Sequence, residues 1–226
     1  MVGAHPKVRL LALETRLFNA NAMGYFMFLM RCPNRRHAAE KMREYFENKV
    51  WRYRRSKGKQ IEEDFSPNTQ EILDRFIQKI GQSENPYEAM REFVDGLLMD
   101  DTHETFVEKT PFHSLNADDI RRVYPDAIFL IPHRPFKDVC LSMKKVPWGP
   151  KEPEDITSYV KYSQEFPRLI LKDDPRTIWF EIYDVINSVT PLIEQMIQLG
   201  LPQEGTDEMI KFYNEKFDSA KLLQYQ

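Results

Sequence analysis

The sequence predicts an α/β fold: a parallel sheet flanked by helices, with a helical segment inserted early in the chain. Three observations predict it. From residue 105 onward, short apolar strands alternate with helical stretches. One of these strands, Ala127–Ile131, is apolar without a break, as expected of a strand buried on both faces of a parallel sheet. Between about residues 16 and 100 the pattern is instead helical. At 226 residues the chain is read as one domain, 1–226, long enough for a real core.

The elements follow in order. Val8–Leu13 is a short apolar run after a proline turn and reads as a buried strand, with Glu14-Thr15 at its carboxyl end. Residues 36–56 are rich in Ala, Glu, Lys, Arg and Met and read as helix. Over 69–80, Ile72, Leu73, Phe76, Ile77 and Ile80 fall on one helical face, with Asn68 and Glu71 placed as a capping box. Pro86 suits the first turn of a third helix running to about Met99. Thr105–Val107 is a strand, Ser114–Tyr124 a helix, Pro125-Asp126 a turn and Ala127–Ile131 the apolar strand. A helix over 137–145, a loop marked by Pro147, Pro150 and Pro153, and a helix over 154–171 come next. Thr177–Ile182 is a strand. The last helix read is 191–199, with Thr190 as its cap and Gly200 just past its end.

Composition narrows the function. A net charge of −3 argues against a general binder of nucleic acid or anionic membranes. Cys32 and Cys140 form no metal-binding pair of motifs, and Cys140 sits in an apolar helical stretch as a core residue would. The five histidines lack metal-site spacing, so no metal is expected. No run approaches the roughly 20 apolar residues of a membrane helix, and no secretory signal is visible at His5-Pro6-Lys7. The cytoplasm is the default compartment for such a chain.

In open parallel sheets, ligands sit at the carboxyl ends of the strands. Three strands deliver polar residues there: Glu14, then Glu108-Lys109, then His133-Arg134. A Lys and an Arg converging, with Ser142 eight residues beyond Arg134, suit a phosphate or a sulfate. The plain alternative is a set of ordinary charged loops, which every α/β protein has.

The residues also carry a resemblance. Arg134-Pro-Phe-Lys137-Asp138-Val139-Cys-Leu-Ser142 resembles the sulfotransferase segment R-x-P-x-D-x-x-x-S, with Pro135 one residue early and Phe136 in its place. Glu108-Lys109-Thr110-Pro111-Phe112-His113 resembles E-K-T-P-x-H, and Tyr124-Pro125-Asp126-Ala127 resembles that family's turn. Trp179–Ile182, Tyr183-Asp184 and Leu199-Gly200-Leu201-Pro202 are similar to its later strand, its Y-E-D-L stretch and its L-G-L-P sequence. His5-Pro6-Lys7-Val8 and Glu14-Thr15 place the nearest likeness with the tyrosylprotein sulfotransferases and their bacterial-type relatives, given a one-residue insertion.

The resemblance implies a P-loop-NTPase-like sheet and 3′-phosphoadenosine 5′-phosphosulfate as co-substrate, with no metal. It implies that Arg134 and Ser142 bind the 3′-phosphate. Lys109 is the cation on the bridging oxygen of the leaving group, and Glu14 the base on an acceptor hydroxyl. For Glu14 the alternative is a carboxylate that pairs Arg16 or caps the next helix. The acceptor is some hydroxyl-bearing molecule and not a nucleic acid.

The family's first strand and its P-x-S-G-T-T type loop are absent: the eight glycines lie scattered, with no G-x-x-x-x-G-K-[ST] among them. A truncated form of a complete enzyme explains this best, since Glu14, Lys109, Arg134 and Ser142 all stand at workable spacings. A lost N-terminal anchor would then make a Golgi or secretory setting possible. Two other classes compete: a catalytically inactive interaction protein on the same fold, and a nucleotide-kinase-like enzyme, which would need a Walker lysine. Trp51–Lys59, basic with interleaved aromatics, reads as a solvated helix end.

Overall fold

Val8–Leu10 (β1) and Thr105–Val107 (β4) lie side by side as a parallel pair, Leu10 opposite Val107. This is seen in a computed structural model that describes residues 2–10, 18, 34, 36–37, 40–41, 55–56, 59–60, 68–82, 85–147 and 149–216. A second parallel pair joins Phe129–His133 (β5) to Thr177–Glu181 (β6). Parallel strands with helical connections make the fold α/β, as expected. The chain divides into two compact units, Val2–Pro125 and Asp126–Gln226.

The first unit is built on a helical hairpin, Thr69–Gln82 (α1) and Pro86–Leu98 (α2). Asn85 caps α2, its side chain accepting from the amides of Tyr87 (3.1 Å) and Glu88, and Pro86 occupies the first turn. Ile72, Leu73, Phe76 and Ile80 recur at helical spacing and are buried, as are Met90, Phe93, Val94 and Leu97 of α2. The Phe76 and Phe93 rings lie 4.6 Å apart. A Cβ on Gly96 would stand 3.2 Å from Ile72 Cγ2, so the glycine is what lets α2 come this close.

Several expectations shift in this unit. Of the strand read over Val8–Leu13, residues 11–13 lie outside the described residues. The helix read over 36–56 does not reach its end: Arg55–Ser56 (β2) pairs antiparallel with Lys59–Gln60 (β3). In sequence the two strands are separated by Lys57-Gly58, and glycine disfavours helix. The helix read over Ser114–Tyr124 is a 3₁₀ turn, Pro111–Asn116, leading into Ala117–Val123 (α3). Pro111 at its first position fixes φ and starts the coil three residues early.

Asp100 joins α2 to the β1–β4 pair. Its carboxylate accepts from the Thr102 amide (2.9 Å) and hydroxyl (2.7 Å) and lies 2.7 Å from His103 Nδ1 and 3.4 Å from Arg9 Nε. Arg9 also donates to the Leu98 carbonyl at the end of α2. The Thr102 hydroxyl, then His103, hold the Asp100 carboxyl well below the usual carboxylate range. A depressed folded pKa stabilises above the unfolded value and stops doing so as the pH falls through the folded one. Asp100→Ala is therefore expected to lower the melting temperature at neutral pH. The gap to the parent should narrow steadily once the pH passes below 3.8, the ordinary value. A gap that stays constant through acid would contradict this account.

In the second unit, β5 starts two residues later than the apolar run suggested, and its residues are half-exposed to exposed, where burial on both faces was expected. Among the described residues β5 pairs with β6 alone, in a register that brings His133 opposite Glu181 inside the strands. Phe136–Lys145 (α4) follows, then Pro153–Leu171 (α5), which Pro153 opens. Met143 of α4 packs with Ile156 and Val160 of α5, and Cys140 joins that cluster from the side. Residue 182, read as strand, begins the short helix Ile182–Asn187 (α6).

Thr190–Gln198 (α7) starts one residue earlier than read, because Val189, not Thr190, holds the cap position. It ends at Gln198, one residue before the 199 read, and Gly200 lies just past the end as expected. Gly200 takes φ +111°, the Leu201 amide reaches the Met196 carbonyl (2.9 Å) and the Gly200 amide that of Ile197 (3.0 Å). That 6→1 and 5→2 pair closes the helix, and a side chain at position 200 would be strained. Thr206–Lys216 (α8) was not anticipated. Arg176 closes the unit's beginning: its guanidinium donates to the carbonyls of Asp126 (2.8 Å) and Leu199 (2.6 Å).

Candidate functional site

The candidate residues fall in both units. Glu14 lies outside the described residues. Lys109 is exposed, two residues past the end of β4 in the first unit. Arg134 and Ser142 belong to the second unit, at the end of β5 and on α4.

Around Lys109 the strand end is held by a polar cluster that sequence reasoning did not assemble. Glu108 takes two of its neighbours: Thr110 donates its hydroxyl to one carboxylate oxygen, and His113 Nδ1 lies 2.7 Å from the other. The Glu108 and His113 side chains are each only 11% exposed, which strengthens this contact against competition from water. On its far side, His113 Nε2 accepts the backbone N–H of Phe18 at 3.1 Å. A ring nitrogen that accepts carries no proton, so the imidazole proton sits on Nδ1 and is donated to Glu108. The Phe18 ring meets the imidazole edge-on at 5.4 Å and approaches Tyr124 at 6.5 Å. Tyr124 in turn donates to Asp95 at 2.8 Å. Burial pushes both the Tyr124 phenol and the Asp95 carboxyl above their ordinary values.

His5, in the His-Pro turn, is buried and accepts the Lys7 amide on Nδ1 at 3.1 Å. The turn is thereby fixed by its own histidine. Lys7 pairs Glu104 at 3.1 Å where β1 and β4 begin.

In the second unit, parallel pairing brings the carboxyl ends of β5 and β6 together. The Arg134 carbonyl is tied by Gln164 Nε2 of α5 at 3.0 Å. Pro135, with φ −52°, stands just before α4, so the early proline directs the chain into the helix start. Tyr183 donates to Asp138 at 2.6 Å, and that bond raises the phenol's pKa. The positive charge of the nearby Arg134 guanidinium pulls it the other way. Asp138 and Ser142 are four residues apart on α4, hence on one face, and Ser142 is exposed there. Tyr183 and Asp138 are thus bonded to each other near the strand ends, with the Arg134 charge close by. The sequence named Arg134 and Ser142 by motif but gave Tyr183 little weight. His133 pairs Glu181 at 2.6 Å, a structural bond between register partners.

A cleft of about 560 Å³ opens beside His133, lined by Arg168, Lys172, Trp179, Glu181 and Asp184 among others. It takes in His133 but neither Arg134 nor Ser142. Among the described residues no group of His, Cys, Asp and Glu could hold a metal ion, and no helix is long and apolar enough to cross a membrane.

A model of the sulfotransferase family matches residues 1–170, three quarters of the chain, and the chain belongs to that family. No curated protein and no solved structure matches it.

Proposed function

We propose that this sulfotransferase-family chain moves a sulfuryl group from 3′-phosphoadenosine 5′-phosphosulfate to an acceptor hydroxyl. Its nearest likeness is the tyrosylprotein branch, and its fold is P-loop-NTPase-like over a single domain, 1–226. Arg134 carries the reading. A half-buried guanidinium stands at the carboxyl end of a parallel strand, its main chain held by Gln164 and its side chain against Tyr183. An always-charged, planar donor set fixed in this way suits a phosphate dianion, and Ser142 on the following helix adds a hydroxyl.

In the reaction the S–O bond to the donor's phosphate breaks as one forms to the acceptor oxygen. Glu14 takes the acceptor's proton, and Lys109 meets the charge that grows on the leaving oxygen.

Titration with 3′-phosphoadenosine 5′-phosphate tests the reading calorimetrically. The parent should bind, and Arg134→Ala should weaken binding by about tenfold or more, the loss of a charge-assisted pair. If neither protein binds, the enzyme reading fails for this chain.

A further inference from the structure

The cleft beside His133 takes one face from each of three helices of the second unit. Glu181, Asp184, Val185 and Ser188 recur at i, i+3, i+4 and i+7 along α6. Arg168 and Lys172 stand four residues apart at the end of α5, and Leu192 and Gln195 three apart on α7. Trp179, half-buried on β6, and the buried Leu192 give the cleft apolar surface. Its volume, about 560 Å³, lies within the roughly 300–1,000 Å³ of small-molecule sites. The charges around it are unevenly spent. Glu181 is taken by His133 at 2.6 Å. Lys172 meets Asp173 at 3.7 Å with both side chains exposed, a weak pair. Arg168 lies over the Trp179 ring, 5.9 Å from its centroid, and among the described residues no carboxylate pairs with it. Nor, among the described residues, does any side chain pair with the Asp184 carboxylate.

We propose that this cleft binds a small aromatic carboxylate, its ring against Trp179, Val185 and Leu192 and its carboxylate on Arg168, with Lys172 alongside. The proposal goes beyond the transfer reaction, since neither Arg134 nor Ser142 lines the cleft. A guanidinium stacked on an indole keeps its N–H edge for a planar oxyanion, which it can hold by two parallel bonds. Water over the apolar surface has few partners there, so a ring that displaces it gains affinity. Asp184 sets the direction and the charge of the ligand. Its carboxylate repels an anion from the α6 side and leaves the α5 side to receive it. Two cations against one unspent acid suit a single negative charge, which favours a carboxylate over a phosphate dianion.

Phenylacetate titrated into the full chain tests this, followed by calorimetry and by the Trp179 indole N–H resonance, which is assigned from its loss in Trp179→Phe. The parent should bind, and the resonance should move as the site fills. Arg168→Gln, an exposed change checked by an unaltered melting temperature, should weaken binding about tenfold or more. Arg168→Lys should recover only part of that loss. Asp184→Asn should tighten binding about twofold, because it removes a like charge. Uncharged phenylacetamide should bind about tenfold more weakly than phenylacetate. A parent that does not bind, a Trp179 resonance that stays still, or an affinity indifferent to Arg168 would each overturn the proposal. Sulfate bound as tightly as phenylacetate would remove the need for a ring and overturn it too. So would displacement by 3′-phosphoadenosine 5′-phosphate, or a loss in Arg134→Ala equal to that in Arg168→Gln, since either would make the cleft part of the donor site.

Discussion

Lys109→Ala is expected to slow sulfuryl transfer by about 10²–10³-fold, the usual effect of removing one preorganised donor from a developing oxyanion. In a loose transition state the S–O bond to the leaving phosphate is largely broken before the new one forms, so negative charge gathers on the bridging oxygen. A cation there binds the transition state more strongly than the ground state, and only that difference raises kcat. The main chain at Lys109 is well placed for this. The β1–β4 register ends at Leu10 and Val107, and the next residues are held by Thr110 and His113 on Glu108. The variant should still bind 3′-phosphoadenosine 5′-phosphate within about twofold of the parent, because the contacts proposed for the 3′-phosphate are those of Arg134 and Ser142. Single-turnover transfer at saturating donor, beside a binding titration, separates the two effects. An unchanged rate would remove Lys109 from the mechanism. An equal loss of rate and affinity would make it a binding residue.

Phe93→Ala is expected to destabilise the first unit by about 3–5 kcal/mol. Phe93 is 2% exposed and its ring packs 4.6 Å from that of Phe76, at the centre of the α1–α2 hairpin. Truncation removes the buried apolar surface and leaves a cavity that two helices pinned by Gly96 against Ile72 cannot close. The aromatic pair adds about 0.5–1.5 kcal/mol of its own. Urea denaturation followed by far-ultraviolet dichroism measures the loss. Phe93→Leu, which refills most of the space, should cost markedly less. A truncation that costs under about 1 kcal/mol would mean that the hairpin is not the core of its unit.

The hairpin was legible in the sequence because its signals are local. Ile72, Leu73, Phe76 and Ile80 repeat at helical spacing, and Pro86 announces a first turn. Gly200 announced the end of α7 in the same way. Elements without such signals escaped. The α8 helix, TDEMIKFYNEK, has a broken apolar stripe, and Ile182, the first of the six residues of α6, was absorbed into the strand before it. The position of β5 was misread because hydrophobicity marks which residues are apolar, whereas pairing with β6 decides which are strand.

The same division holds at the site. Arg134 and Ser142 stand within one short motif and could be read off it. The bond between Tyr183 and Asp138 spans 45 residues and exists only because β5 and β6 run side by side. The bond from Phe18 to His113 spans 95. No spacing rule reaches so far, and the E-K-T-P-x-H likeness points to the histidine without saying what it touches.

Arg176 has a meaning beyond its three contacts. It closes the second unit by gathering carbonyl oxygens from the start of the β5 segment and the end of α7. Its fork also serves two carbonyls at once, which a lysine ammonium on a flexible stem would not reproduce. An Arg-to-Lys exchange, usually counted among the mildest of substitutions, would here exchange a clasp for a tether.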